Sequence, residues 1–317
     1  MAGTCRRRCS LVERSWLEVL ASHYDHHPAP ASTDRLRCHS LHFIYRWRGR
    51  KYVLSKVHKD SRRVPFHYQF ALTAFLSEHT GTVRPAHPPV GRHKTPWIEH
   101  RSHYWFVRSF TDHAPSPDWR DPQLIEDWAA KLADIHRIAQ GHRHPDQPSP
   151  ESLAPYHWPL RAVLTRRDEF VADMTARLRV EQDVMVVRAG LDQLSKEAKR
   201  LDLGPVGITH QDPSPGNVLV KDRGVVAVID WDRAQEDRLL YDAVLAALHL
   251  SRCQPASDRF GAADRFIKTY QRTWDVDDQA VGWMFRYAVL RNLAVSRSPE
   301  KWRAIQPEVE RHWGGDH

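Results

Sequence analysis

"GITHQDPSPGNVLVKDRGVVAVIDWD", residues 207–232, sets His210, Asp212, Asn217 and Asp230 between two apolar runs that read as strands. Buried polar groups cost free energy unless they find partners. Four of them on a short loop, with a Gly and two Pro, therefore need a structural reason. A hairpin supplies one, because "VLVKDRGVVAVI" runs out and returns and so brings Asn217 and Asp230 back together.

On either side of this hairpin the chain has a different character. Residues 10–23 carry Leu11, Trp16, Leu17 and Leu20 at helical spacing, and the Pro-rich "HHPAPAS" ends that helix. Residues 41–57 read as two β-rich runs joined by a turn at Arg48-Gly49-Arg50. A helix from about Pro65 to Glu78 follows, then a Pro-rich segment and a strand pair at "WIEH" and "HYWFVRSF". Beyond Asp112 helices dominate: "PQLIEDWAAKLADIHRIA" places Leu124, Trp128, Leu132 and Ile135 on one face, and further helices are expected over 161–180, over 188–202 and after the hairpin. The expected class is α+β and bilobal. A helical extension covers 1–23, a small β-rich N-lobe 24–110, and a larger helical C-lobe 111–317 holds the polar hairpin loop.

The longest apolar stretches, such as "AVLAALHL" at 243–250, fall far short of the roughly 20 residues that span a bilayer. The start, "MAGTCRRRCSLVERSWLEVL", lacks the continuous apolar run of a secretory signal. Cys5, Cys9, Cys38 and Cys253 are too few and too scattered for a disulfide framework. These features predict a cytoplasmic protein with no membrane partner. Cys5 and Cys9 have no second ligand pair to complete a zinc site, and neither HExxH nor paired CxxC occurs. The net charge of +8 is concentrated at the start, since residues 1–110 hold 19 Lys and Arg against 7 Asp and Glu. Such a surface attracts phosphate-bearing ligands, an acidic peptide or nucleic acid, but no nucleic-acid recognition motif accompanies it.

Phosphoryl transfer requires a carboxylate to orient an attacking hydroxyl and accept its proton, and oxygen ligands to hold Mg²⁺ on nucleotide phosphates. The loop has both. His210-x-Asp212-x4-Asn217 has the spacing of a kinase catalytic loop, and Asp230, at the end of "VVAVID", is placed as a second metal ligand. The pieces "HQDPSPGNVLV", "VIDWDRA" and "LYDAV", with "LADIHR" at 132–137, resemble the aminoglycoside phosphotransferase and choline kinase-like family, whose fold is protein kinase-like. The resemblance covers most of the chain after about residue 40. It implies Asp212 as catalytic base, Asn217 and Asp230 as Mg²⁺ ligands, His210 as a brace of the loop, and Asp242 as a hydrogen-bond acceptor for its backbone. It also implies ATP as the phosphoryl donor and a small-molecule hydroxyl as acceptor: an antibiotic, sugar or amino alcohol.

The N-lobe departs from the family pattern. The loop expected over the phosphates, "LRCHSLHFIYRW", has no Gly, and Ser40 is its candidate phosphate contact. Where the family has "VLK" this chain reads "VLSK"; Ser55 and Lys56 point to opposite faces of a strand, a one-residue slip decides which faces the phosphates, and Lys56 is the expected phosphate contact, through a bulge or shifted register. Gln69 stands where the helix Glu that pairs with the lysine is expected. From Ala243 to His317 there are 9 Asp and Glu against 11 Lys and Arg, no acidic excess of the kind a polycationic acceptor needs. Two alternatives therefore stand beside the small-molecule kinase: a kinase of Ser or Thr in an acidic peptide, and a nucleotide-binding scaffold with a degraded site.

Overall fold

The computed structural model describes residues 16–28, 34–37, 41–58, 65–91, 93–140, 142–175, 181–296 and 299–313; Cys5, Cys9, Cys38 and Ser40 lie outside the described residues. The chain divides into two units, residues 1–112 and 113–317.

The N-terminal unit is built on the hairpin of β2 (Leu41–Trp47) and β3 (Arg50–His58). Its two-residue turn, Arg48-Gly49, has φ of 47° and 77°, the positive pair that matches the twist of antiparallel strands. The sheet runs β1 (Asp34–Arg37), β2, β3, β6 (His103–Ser109), β4 (Ala86–His87), with β5 (Ile98–His100) also on β6. Alternation sends Phe43, Tyr45, Leu54, Trp105 and Val107 to one face, where they meet Trp16, Val19, Leu20 and Tyr24 of α1 (residues 16–24). Val19 and Leu20 each contribute roughly 1.5–3 kcal/mol by such burial. The described part of the expected N-terminal extension is thus part of this unit's core. Tyr104 and Phe106 go to the other face, against Phe66 and Phe70 of α2 (Phe66–Thr80), a helix closed by Gly81 at φ 64°.

In the C-terminal unit α3 (Pro122–Ala139) starts where Asp121 accepts the N–H of Gln123 and Pro122 occupies the first turn. The helix expected over 161–180 is broken at Arg166 into α4 (Leu160–Thr165) and α5 (Arg167–Thr175), and α6 spans Glu181–Glu197. Buried nearly all round, α7 (Leu239–Ser251) is the centre of the unit and packs on α8 (Arg259–Gln271) and α9 (Asp278–Val295), with α10 (Pro299–Trp313) on α9. Among the described residues no helix is long and apolar enough to cross a membrane.

Candidate active site

Two antiparallel ladders, one nested inside the other, shape the polar loop. The inner ladder pairs β8 (Val218–Lys221) with β9 (Gly224–Val228), with Val218 opposite Val228. The outer one pairs β7 (Val206–Thr209) with β10 (Gln235–Arg238), with Thr209 opposite Gln235. Residues 210–217 and 229–234 are the two segments left between the ladders, so pairing at both ends holds them side by side. The Ile229 N–H donates to the Asn217 carbonyl at 2.9 Å and extends the inner ladder to the site itself. The return expected from the sequence is therefore made by backbone.

Each loop residue is held by a specific bond. His210 is buried; its Nε2–H donates to the Ile229 carbonyl at 2.8 Å and its Nδ1 accepts the Asp212 N–H at 3.3 Å, so both ring nitrogens are used. Trp231 packs on this ring, centroids 4.6 Å apart, and donates its Nε1–H to the Val228 carbonyl. The Asp212 carbonyl accepts the Ser214 N–H at 2.8 Å and Asn217 Nδ2–H at 2.9 Å. With its nitrogen so engaged, Asn217 keeps Oδ1 as a donor for a cation. Asp230 is exposed and sits at φ 66°, a region Asp tolerates better than most residues. Among the described residues no group of three or more His, Cys, Asp and Glu side chains is arranged to hold a metal ion; Asn217 and Asp230 bring one amide oxygen and one carboxylate to the loop, beside the carboxylates of Asp212 and Asp232. That small, hard set suits Mg²⁺, which binds through one or two protein ligands and takes the rest from phosphate and water.

Asp242, fully buried at the start of α7, accepts the His210 N–H at 2.6 Å, the Gln211 N–H at 2.8 Å and His136 Nε2–H at 3.2 Å. His136 Nδ1 in turn lies 2.8 Å from the Tyr270 hydroxyl, whose pKa burial raises well above the ordinary value, so Tyr270 remains a neutral donor. His136 is the histidine of "LADIHR", whose role is visible only once α3, α7 and α8 are packed together. Three further residues escaped the sequence reading. Arg233 Nη1 lies 3.7 Å from Asp212 Oδ2, both about a third exposed. Gln211 and Arg291 join a buried network around Asp237, whose carboxyl is pushed up by burial against the opposing pull of Arg291. A cavity of about 480 Å³ among α6, α9 and α10, lined by Leu194, Val289 and Val309, is bordered by none of the candidate residues.

The N-terminal unit gives Ser55 and Lys56 different surroundings. No bulge interrupts the β2–β3–β6 ladder around Ser55, which faces His42 on one side and Phe106 on the other. Ser55 is therefore on the α2 face, buried and 2.9 Å from His42 Nδ1, whereas Lys56 is on the α1 face with its Nζ 5.1 Å from the centre of the Trp105 ring. Strand alternation forbids Lys56 from joining Ser55's face without a register shift. Burial, with Arg101 nearby, lowers the Lys56 pKa. Gln69 is buried in α2, and among the described residues it hydrogen-bonds neither Ser55 nor Lys56. Replacing Lys56 with Met is expected to leave the MgATP dissociation constant, measured by calorimetry, within about threefold, under ~0.7 kcal/mol. A larger loss would return Lys56 to the nucleotide.

The model of the phosphotransferase enzyme family, APH, matches residues 41–283, more than half of the chain. The chain belongs to this family. No curated protein matches it in sequence. Among solved structures it is similar to the aminoglycoside phosphotransferase APH(4)-Ia, with 14% identity over 97% of this chain and 100% of that one and a TM-score of 0.66. The spectinomycin phosphotransferase APH(9)-Ia, solved with ADP and spectinomycin, shares 15% identity over 93% of each chain with a TM-score of 0.57. For the ethanolamine kinase of Plasmodium vivax the values are 10%, 90% of this chain, 82% of that chain and 0.57. This member of the phosphotransferase enzyme family has the protein kinase-like fold, with a small sheet-rich N-terminal unit and a larger helical C-terminal unit. It is a phosphotransferase.

Proposed function

We propose that this phosphotransferase transfers the γ-phosphate of ATP to a hydroxyl of a small molecule, an antibiotic, sugar or amino alcohol, with Mg²⁺ as cofactor. One observation carries the reading: the nested ladders align the segment of Asp212 and Asn217 with the segment of Asp230 through the Ile229 to Asn217 and His210 to Ile229 bonds. The ADP in the spectinomycin phosphotransferase structure supports the choice of nucleotide.

Asp212 orients the acceptor hydroxyl and takes its proton as the new O–P bond forms and the bond from the γ-phosphorus to the bridging oxygen breaks, leaving ADP. His210 and Asn217 keep the Asp212 backbone in place, and Asn217 Oδ1 with the Asp230 carboxylate are the residues that hold the cation. When bound, Mg²⁺ neutralises the charge on the phosphates. Arg233 adds a fixed cation beside Asp212.

Calorimetry with ATP in the presence of Mg²⁺ and of a chelator tests the metal assignment. Asp230→Ala is expected to remove the Mg²⁺-dependent part of the affinity, at least about tenfold or ~1.4 kcal/mol. Equal affinity in wild type and variant would defeat it. Mass spectrometry of spectinomycin, ethanolamine and a neutral sugar after incubation with MgATP then reads the acceptor as a gain of one phosphate.

A further inference from the structure

Gln211, between His210 and Asp212, adopts φ 66°, a conformation that costs a non-glycine residue of order 1 kcal/mol. Yet its side chain is buried and all its polar atoms are engaged. Nε2–H donates to Thr209 Oγ1 at 2.8 Å and to Asp237 Oδ2 at 3.0 Å, and Oε1 accepts from Arg291 Nη1 at 3.1 Å. Arg291, on α9 and 4% exposed, donates through its other arm to the Trp158 carbonyl at 2.9 Å; its guanidinium lies 4.7 Å from the Tyr241 ring centre and 4.0 Å from Asp237.

The same group reaches the segment leading into α4. Asp237 Oδ1 accepts the Leu160 N–H at 3.0 Å, and Gln235 Nε2–H donates to the His157 carbonyl at 2.9 Å. Residues 157–160 are thus tied at two points, Trp158 and Leu160, to the side chains that hold residue 211, and at a third, His157, to Gln235 of the same strand as Asp237. A buried arginine is costly unless partnered; both Nη groups of Arg291 are engaged while its Nε has no hydrogen-bond partner among the described residues, so the bonds to Gln211 and Trp158 carry its pairing and favour one geometry over its alternatives. Nothing in the proposed transfer step uses these side chains.

We infer that Gln211 and Arg291 are positioning residues: the Gln211–Asp237–Arg291 network fixes the backbone at residue 211, and with it the carboxylate of Asp212, relative to residues 157–160. This rests on Asp212 being the catalytic base. A turn cap without this role would lose stability but no turnover on becoming glycine, because glycine adopts φ 66° at no steric cost and the backbone keeps its course.

Phosphate release from saturating MgATP, with water as acceptor, tests the inference. Gln211→Gly is expected to lower the melting temperature, because it leaves Arg291 Nη1 and Asp237 Oδ2 without their amide partner, and to leave MgATP affinity unchanged while lowering kcat about tenfold, ~1.4 kcal/mol. Arg291→Met lowers kcat similarly, Arg291→Lys does not restore it, and the double variant Gln211→Gly/Arg291→Met loses little more than either alone, as members of one network do. Should Arg291→Met fail to fold, Gln211→Gly alone decides. Wild-type kcat in Gln211→Gly, with Asp212→Asn inactive, overturns the inference and spares the base assignment. Wild-type kcat in Asp212→Asn overturns both.

Discussion

Asp212→Asn is expected to lower kcat by about 10² to 10⁴, the range of general acid–base catalysis, while MgATP affinity holds within about threefold. The amide keeps the size of the carboxylate but accepts no proton at neutral pH. The loop's shape at this residue runs through its backbone: the N–H to His210 Nδ1 and the carbonyl to Ser214 and Asn217, all retained in the variant. The ion pair with Arg233 is lost, but both groups are a third exposed and such pairs stabilise by ~1 kcal/mol or less. Stopped-turnover assay and calorimetry on one preparation separate the two quantities. A fall in nucleotide affinity matching the fall in kcat would assign Asp212 to nucleotide binding instead of proton transfer.

The largest effect on stability belongs to Asp242→Ala. Its carboxylate accepts two backbone N–H groups of the catalytic loop and the N–H of His136, all out of reach of water. Alanine leaves those three donors unpaired at ~1–3 kcal/mol each. Partial relaxation reduces the sum, so a loss of about 3–5 kcal/mol in unfolding free energy is expected by urea denaturation, against a total of ~5–15 kcal/mol for an ordinary domain. A loss below ~1 kcal/mol would mean that the loop carries its own conformation and that Asp242 is dispensable.

The hairpin loop was legible because its information is local. The alternating runs on either side of residues 210–217, the Asp-Arg-Gly turn whose Asp222 and Arg223 take positive φ, and the spacing of Asp212, Asn217 and Asp230 all lie within one short segment. The α1, β2–β3 and α3 patterns were readable for the same reason. The position of Lys56 was not, because a register one residue away gives the same composition and only the ladder to β2 and β6 chooses between them. Gln211 looked like an unremarkable neighbour of Asp212, since its partners Asp237 and Arg291 are 26 and 80 residues away. The strand "QEDR" carries no apolar alternation at all; it pairs with β7 because Gln235 and Asp237 are satisfied inside the unit.

The sequence by itself determined the family, the kinase-like division into a sheet-rich and a helical part, and the identities of Asp212, Asn217, Asp230, His210 and Asp242 as the residues to watch. Tertiary structure alone decided which face of β3 carries Ser55, which buried groups brace the backbone ahead of Asp212, and that His136 and Tyr270 complete the shell of Asp242. The physical reason is range: hydrophobic period and turn chemistry act between near neighbours, whereas the partners of a buried polar atom are chosen by whatever packing brings within about 3 Å of it.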